Sequence, residues 1–188
     1  MPVSPAFAES NRVQTERLRK LVGRLDAGLL AVRLPNGWTV AVALAHIAFW
    51  DRQRLCLMRR WAAGNWCDGG YDGELFNEVL LPFLEMIPPL GAAEIALQVA
   101  EEVDAFLLTV PDEVVEAALA RPDRPNLDRG SHREGHLDQI EKALAGLVIL
   151  HAASRTRCTH GFRKLRTVTE KEYDMKYAFL NLATAMIC

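Results

Sequence analysis

The chain has 188 residues, half of them hydrophobic and 24% charged, with a formal net charge of −2 at pH 7. That length suits one domain with room for an appendage, and it allows a full core without disulfide staples. The composition excludes collagen-like, disordered and disulfide-scaffold classes, and the near-neutral charge gives no general attraction to nucleic acid or to an anionic membrane.

Ser4 followed by Pro5 opens the first predicted helix: a capping hydroxyl, then a ring already set near helical φ. Leu18, Leu21, Val22, Leu25 and Leu29 recur at helical spacing with Arg17, Arg19, Lys20 and Arg24 between them. This predicts one amphipathic helix ending before the turn signal Pro35-Asn36-Gly37. Thr39 is placed to cap a second helix running to about Trp61, with Ala43, His46, Trp50, Gln53 and Leu57 on one face. Asp68 to Gly73 reads as a loop, and it lacks the lysine and spacing of a phosphate-binding loop. A short apolar helix is expected from Glu74 to Met86. A third long helix follows from Ala92 to Val110, with Ile95, Val99, Phe106 and Val110 inward and Glu101, Glu102 and Asp104 toward solvent. Asp112 to Ala120 predicts a short helix, and Arg121 to Arg129 a loop. Ser131-His132-Arg133-Glu134 fits a capping box, so a fourth long helix is expected to begin near His132 and to continue through His136, Ile140, Ala143, Leu147 and Leu150. No strand-period segment or internal repeat is visible. The predicted class is all-α, a four-helix bundle, and the long connection from Ala62 to Gly91 allows a crossover.

The chain changes character after Leu150. Residues 151–188 hold 7 Lys+Arg against 3 Asp+Glu, whereas residues 1–150 hold 15 against 21. The division expected is a helix-bundle domain over 1–150 and a C-terminal extension over 151–188, with Thr169 capping one added helix. The basic run Arg155, Arg157, Arg163, Lys164 and Arg166 reads as a solvated face rather than a phosphate-binding surface. Cys56, Cys67, Cys158 and Cys188 form no C-x-x-C pair and read as ordinary thiols of a reducing compartment, Cys56 as a core thiol. The most apolar stretch, Trp38 to Trp50, is far short of the roughly 20 residues a bilayer needs. With no visible signal peptide, a cytoplasmic protein with no membrane or nucleic-acid partner is expected.

The candidate chemistry lies in three of the five histidines. His132 and His136, at i and i+4, stand about 40° apart around one helix, so both imidazoles reach the same ion. His46, on the inward stripe of the second helix, is the natural third ligand. Three imidazoles leave coordination positions free, as catalytic sites do and closed structural sites do not. Imidazole ligation suits zinc, nickel, iron and copper alike. Glu134 follows His132 by two residues, which is not the H-E-x-x-H spacing of a metalloprotease and turns it away from the shared ion. Trp38, Phe49 and Trp50 are candidates to line a pocket beside it, and Asp51 and Gln53 to support the ligands.

The run Gly37-Trp38-Thr39-Val40, then Leu44-Ala45-His46-Ile47-Ala48-Phe49-Trp50-Asp51, resembles a signature of the DinB/YfiT-like superfamily, G-W-S/T-V followed by L-x-H-L/I-x-x-W. His132-Arg133-Glu134-Gly135-His136-Leu137-Asp138-Gln139-Ile140 resembles the second signature, H-x-x-x-H-x-x-Q-I, and the two blocks stand in the same order as in that family. The resemblance spans about residues 8–149. It implies a DinB/YfiT-like four-helix bundle, a homodimer, and a divalent metal held by His46, His132 and His136. It also implies activity as a metal-dependent hydrolase or as a thiol-dependent transferase of the mycothiol or bacillithiol type. Gly135 departs from close relatives, which often carry Glu there, and the tail matches nothing in the family.

The function expected is therefore that of a metal-dependent enzyme on a small-molecule substrate, with zinc or nickel activating a water or a low-molecular-weight thiol. The alternative is a metal-binding or stress-response interaction module without turnover.

Overall fold

The computed structural model describes the backbone of residues 5–67, 72–121 and 126–161, and the side chains of residues 7–67, 72–121 and 126–147. The predicted cap Ser4, most of the 68–73 loop, the basic run after Leu150 and the helix predicted after Thr169 lie outside the described side chains or backbone. Among the described residues there are seven helices and no strand, apart from an isolated bridge between Arg33 and Thr39. The class is all-α, as the periodicity indicated. The chain divides into two compact units, Met1–Leu144 and Ala145–Cys188. Every side chain discussed below belongs to the first.

The first helix, α1 (Pro5–Val22), is shorter than its leucine spacing suggested. It ends at Val22 because the Asp26 carboxylate accepts a 2.8 Å bond from the Leu29 amide and caps a separate short helix, α2 (Ala27–Leu30). Leu18, Leu21 and Leu30 are buried, but so are Asn11, Gln14 and Thr15, so the inward face of α1 is polar in its first half. A tight turn follows, in which Leu34 N donates to Trp38 O at 2.8 Å and Arg33 donates to the Gly37 carbonyl at 2.8 Å.

Helix α3 (Val40–Ala62) starts as expected, with the Thr39 hydroxyl accepting from the Val42 amide at 3.2 Å. It ends in a Schellman motif: Asn65 N bonds Arg60 O, and Gly64 N bonds Trp61 O, both at 2.9 Å. Gly64 has φ +78°, a conformation open to glycine at no steric cost. From Val40 to Ala48 every residue of α3 is buried, which makes α3 the central helix.

Helix α4 (Gly73–Glu85), capped by Asp72, lies within the long connection. Leu75, Phe76, Val79, Phe83 and Met86 leave much of their surface exposed, as does Leu90 beyond it. Helix α5 (Pro89–Leu107) packs along α3 through a stripe that only partly matches the one predicted: Val99, and Val110 beyond the helix, are buried as expected, and Phe106 is half-buried. Ala92, Ala93, Ala96, Val99, Ala100, Val103 and Leu107 are buried, whereas Ile95 is exposed. Small side chains let the two helix axes approach closely, and the larger Ile95 is left outside. Helix α6 (Asp112–Leu119) follows as predicted.

The last helix, α7 (Arg129–Gly161), begins three residues earlier than expected. Its cap is Asp128, whose Oδ1 accepts from the Ser131 amide at 3.0 Å and from the Ser10 hydroxyl of α1 at 2.7 Å. Ser131 instead donates to the Asp128 carbonyl, and Glu134 accepts from Gln14 at 3.4 Å, so the predicted capping box does not form. Gly130 lies against α1: a Cβ there would sit 2.6 Å from both the carbonyl carbon and the oxygen of Ser10, and nearer still to its hydroxyl. With no side chain in the way, Gly130 N donates to Asn11 Oδ1 at 2.7 Å. This contact fixes where α7 starts relative to α1.

Candidate metal centre

The capped start of α3 carries His46 into the interior at its second turn, and the Gly130 contact sets His132 and His136 on the first turns of α7. The three imidazoles meet. Ring centroids are 4.6 Å apart for His46 and His136, 4.9 Å for His132 and His136, and 5.3 Å for His46 and His132. One nitrogen can be chosen from each ring so that no two lie more than 4.8 Å apart. Nitrogens bound to one ion at about 2.0–2.1 Å in tetrahedral array stand about 3.4 Å from one another. His46 Nε2 and His132 Nε2 are already 3.4 Å apart, so this pair stands at the spacing that one shared ion sets.

The electrostatics favour lone pairs over protons. Burial first, then the neighbouring His136 ring and the Arg129 guanidinium, depress the pKa of His46 to about 3. Burial and then the Arg129 guanidinium depress His132 to about 2, and the same two causes lower His136. All three rings are therefore neutral at pH 7, the form in which imidazole binds a metal. His136 Nδ1 is buried and, among the described residues, has no hydrogen-bond partner. A buried polar atom without a partner is costly, and an ion would remove that cost. On donor set, neutrality and the unpaired nitrogen, the residues fit a divalent metal.

Aromatic rings wall the cluster. Trp38 lies 4.9 Å from His46 and stacks at 13° on His136 at 6.3 Å. Trp50 meets His46 edge-on at 6.2 Å, and its indole N–H donates to Asn77 of α4 at 3.1 Å. Phe49 packs against Trp50 rather than against a histidine.

Behind the histidines runs a buried ionic network that the sequence did not reveal. Asp51, fully buried, accepts from Arg129 Nε at 2.8 Å and from Arg133 Nε at 2.7 Å. Arg133, also fully buried, reaches Asp104 through both terminal nitrogens at 3.0 Å, and Thr15 at 2.7 Å. Burial opposes the charge on Arg133, but Asp51 and Asp104 outweigh it and its pKa is raised. Asp104 thus faces Arg133 instead of solvent. Arg129 Nη2 then contacts His132 Nδ1 at 2.8 Å, so Asp51 supports the cluster through an arginine. The buried Oε1 of Gln53 has no hydrogen-bond partner among the described residues. Cys56, expected in the core, is exposed.

The sequence signal for the network was the arginine pair 129/133, one helical turn apart and flanking His132. Reading 121–129 as loop placed Arg129 outside the helix and hid it. A cavity of about 680 Å³ between α1, α5 and α6 is lined by Phe7, Asn11, Thr15, Asp104 and Val115 among others, and by none of the three histidines. Among the described residues no helix is long and apolar enough to cross a membrane.

The chain matches no family model, no curated protein and no solved structure at a significant level. The functional reading therefore stands on the geometry of the site and on the two motif blocks.

Proposed function

We propose that the chain is a divalent-metal-dependent enzyme of the DinB/YfiT-like type, a hydrolase or a thiol-dependent transferase, with His46, His132 and His136 as the metal ligands. The observation that carries this reading is the convergence of three neutral imidazoles from α3 and α7 on one point, His46 buried and His132 and His136 partly so. A bound zinc or nickel ion supplies Lewis acidity, which makes a coordinated water or thiol nucleophilic near neutral pH. The chain does the rest. His46, His132 and His136 offer three lone pairs and no carboxylate, so the site keeps the ion's full positive charge and its remaining positions for substrate. Trp38 and Trp50 shield the rings from bulk water, which strengthens every electrostatic interaction there.

The experiment is metal analysis of the full chain, purified without an affinity tag, beside His46→Ala. About one metal per chain in the wild type, lost in the variant, is expected; it then justifies assays of hydrolysis and of transfer to a small thiol. No metal in the wild type, and no rise in melting temperature with added Zn²⁺ or Ni²⁺, refutes the reading. A homodimer belongs to the same proposal. The exposed apolar stripe of α4 (Leu75, Phe76, Val79, Phe83) is the face it would bury, and this stripe also favours the second reading, an interaction module without turnover.

A further inference from the structure

Arg129 stands where a metal-binding histidine ordinarily has an acceptor. A ligating imidazole keeps a proton on its second nitrogen and gives it to a carboxylate, a carbonyl or water, which orients the ring. Here the group 2.8 Å from His132 Nδ1 is Arg129 Nη2. A guanidinium has five N–H donors and no lone pair to accept with. Arg129 is therefore the donor and Nδ1 the acceptor. An imidazolium has no acceptor nitrogen, so His132 in this arrangement is neutral and its single proton is on Nε2. That nitrogen is the one 3.4 Å from His46 Nε2, and it is the one an ion needs bare. Arg129 is not a loose surface chain that happens to lie nearby. It is 4% exposed, and its Nε is held by Asp51, which also holds Arg133.

We propose that Arg129 restrains metal uptake, holding His132 in the Nε2–H tautomer until the guanidinium releases Nδ1. The inference rests on the metal reading above. On loading, the Arg129–His132 hydrogen bond breaks, the His132 proton passes from Nε2 to Nδ1 through solvent, and the Nε2 lone pair goes to the ion. No net proton is released in that exchange, and Asp51 keeps Arg129 through Nε. The arginine is a positioning residue: it acts on the metal only through the ring it orients and through its own positive charge.

The test compares the full-length wild type with Arg129→Gln and Arg129→Lys. Glutamine offers a carbonyl to accept from Nδ1–H and an amide N–H for Asp51, whereas lysine keeps the donor and the charge. Zn²⁺ affinity is measured by competition with a chromophoric chelator. Arg129→Gln is expected to bind about ten- to a hundredfold more tightly than wild type, the range that partners of ligating histidines control, and Arg129→Lys to stay near wild type. The ¹⁵N shifts of the His132 ring in metal-free protein give a second readout, which does not depend on any variant folding. The Nε2–H tautomer is expected in wild type, and Nδ1–H in Arg129→Gln. An Nδ1–H tautomer in wild type overturns the inference, as does zinc binding by wild type with no gain in a folded Arg129→Gln. Zinc binding by none of the three proteins overturns the metal reading and this inference with it.

Discussion

Replacing Gly130 by alanine tests the packing that sets the site. The new Cβ would stand 2.6 Å from the carbonyl carbon and oxygen of Ser10, against an ordinary contact of about 3.5–4.0 Å. Because the obstacle is backbone, no rotamer change relieves it, and α1 and α7 must separate by about an ångström. Such overpacking costs about 1–3 kcal/mol. The separation also strains the bonds from Gly130 N to Asn11 and from Ser10 to Asp128, each worth about 1 kcal/mol. Alanine recovers up to about 1 kcal/mol of helix propensity. The expected net loss is about 2–3 kcal/mol, a fall in melting temperature of about 5–10 °C for a chain of this size. Gly135 is the internal control: it lies on the same helix, is exposed, and nothing stands within 4 Å of a Cβ there. Gly135→Ala should gain about 0.5–1 kcal/mol. Urea unfolding of both variants with unchanged m-values gives the comparison. A Gly130→Ala protein as stable as Gly135→Ala refutes the close contact of α1 with α7.

Two further outcomes follow from the charges. Above pH 6.5 His46 and His132 are neutral in both the folded and the unfolded chain. Below it the unfolded chain takes up protons that the folded one, with pKa values of about 3 and about 2, refuses. Stability should therefore fall between pH 6.5 and 5, approaching about 1.4 kcal/mol per pH unit for each histidine. Urea unfolding of metal-free protein measures it, and the double variant His46→Gln/His132→Gln should flatten the slope; equal stability at pH 7 and 5 in wild type contradicts the burial of the rings. Arg133→Met strips Asp104 and Asp51 of a shared partner inside the core and should cost about 3–5 kcal/mol. A loss below about 1 kcal/mol would mean that the network is open to water.

The three histidines were legible because two of them share one helix turn and the third sits on an inward stripe; helical spacing alone puts such residues on defined faces. The start of α3 followed from cap and turn in the same way, since Thr39 and the Pro35–Gly37 turn act locally. What was not legible depends on long-range choice. Asp128 rather than Ser131 caps α7 because its carboxylate also holds Ser10 of α1, and the Asp26 cap splits off α2 where the leucine spacing read one helix. The alanine stripe of α5 was passed over for larger side chains, since periodicity does not say which of two apolar faces allows the closer approach to α3. Asp104 and Glu102 look alike in sequence, and only the arrival of Arg133 from α7, 29 residues beyond Asp104, separates them.

Asp51 grips Arg129 and Arg133 at once, and these lie one turn apart on α7. A single carboxylate bridging two arginines at i and i+4 works as an indexing key. Slipping α7 by one residue turns it through about 100° and carries both guanidinium groups away from Asp51, breaking the pair of buried bonds that hold them. The cost is all-or-none, so intermediate rotations of the helix have no resting place. His132 lies between the two arginines in sequence and inherits their angular setting. Drift in this fold's sequence should accordingly come in concerted sets: Asp51, Arg129, Arg133 and Asp104 exchanged together for apolar residues, or kept together.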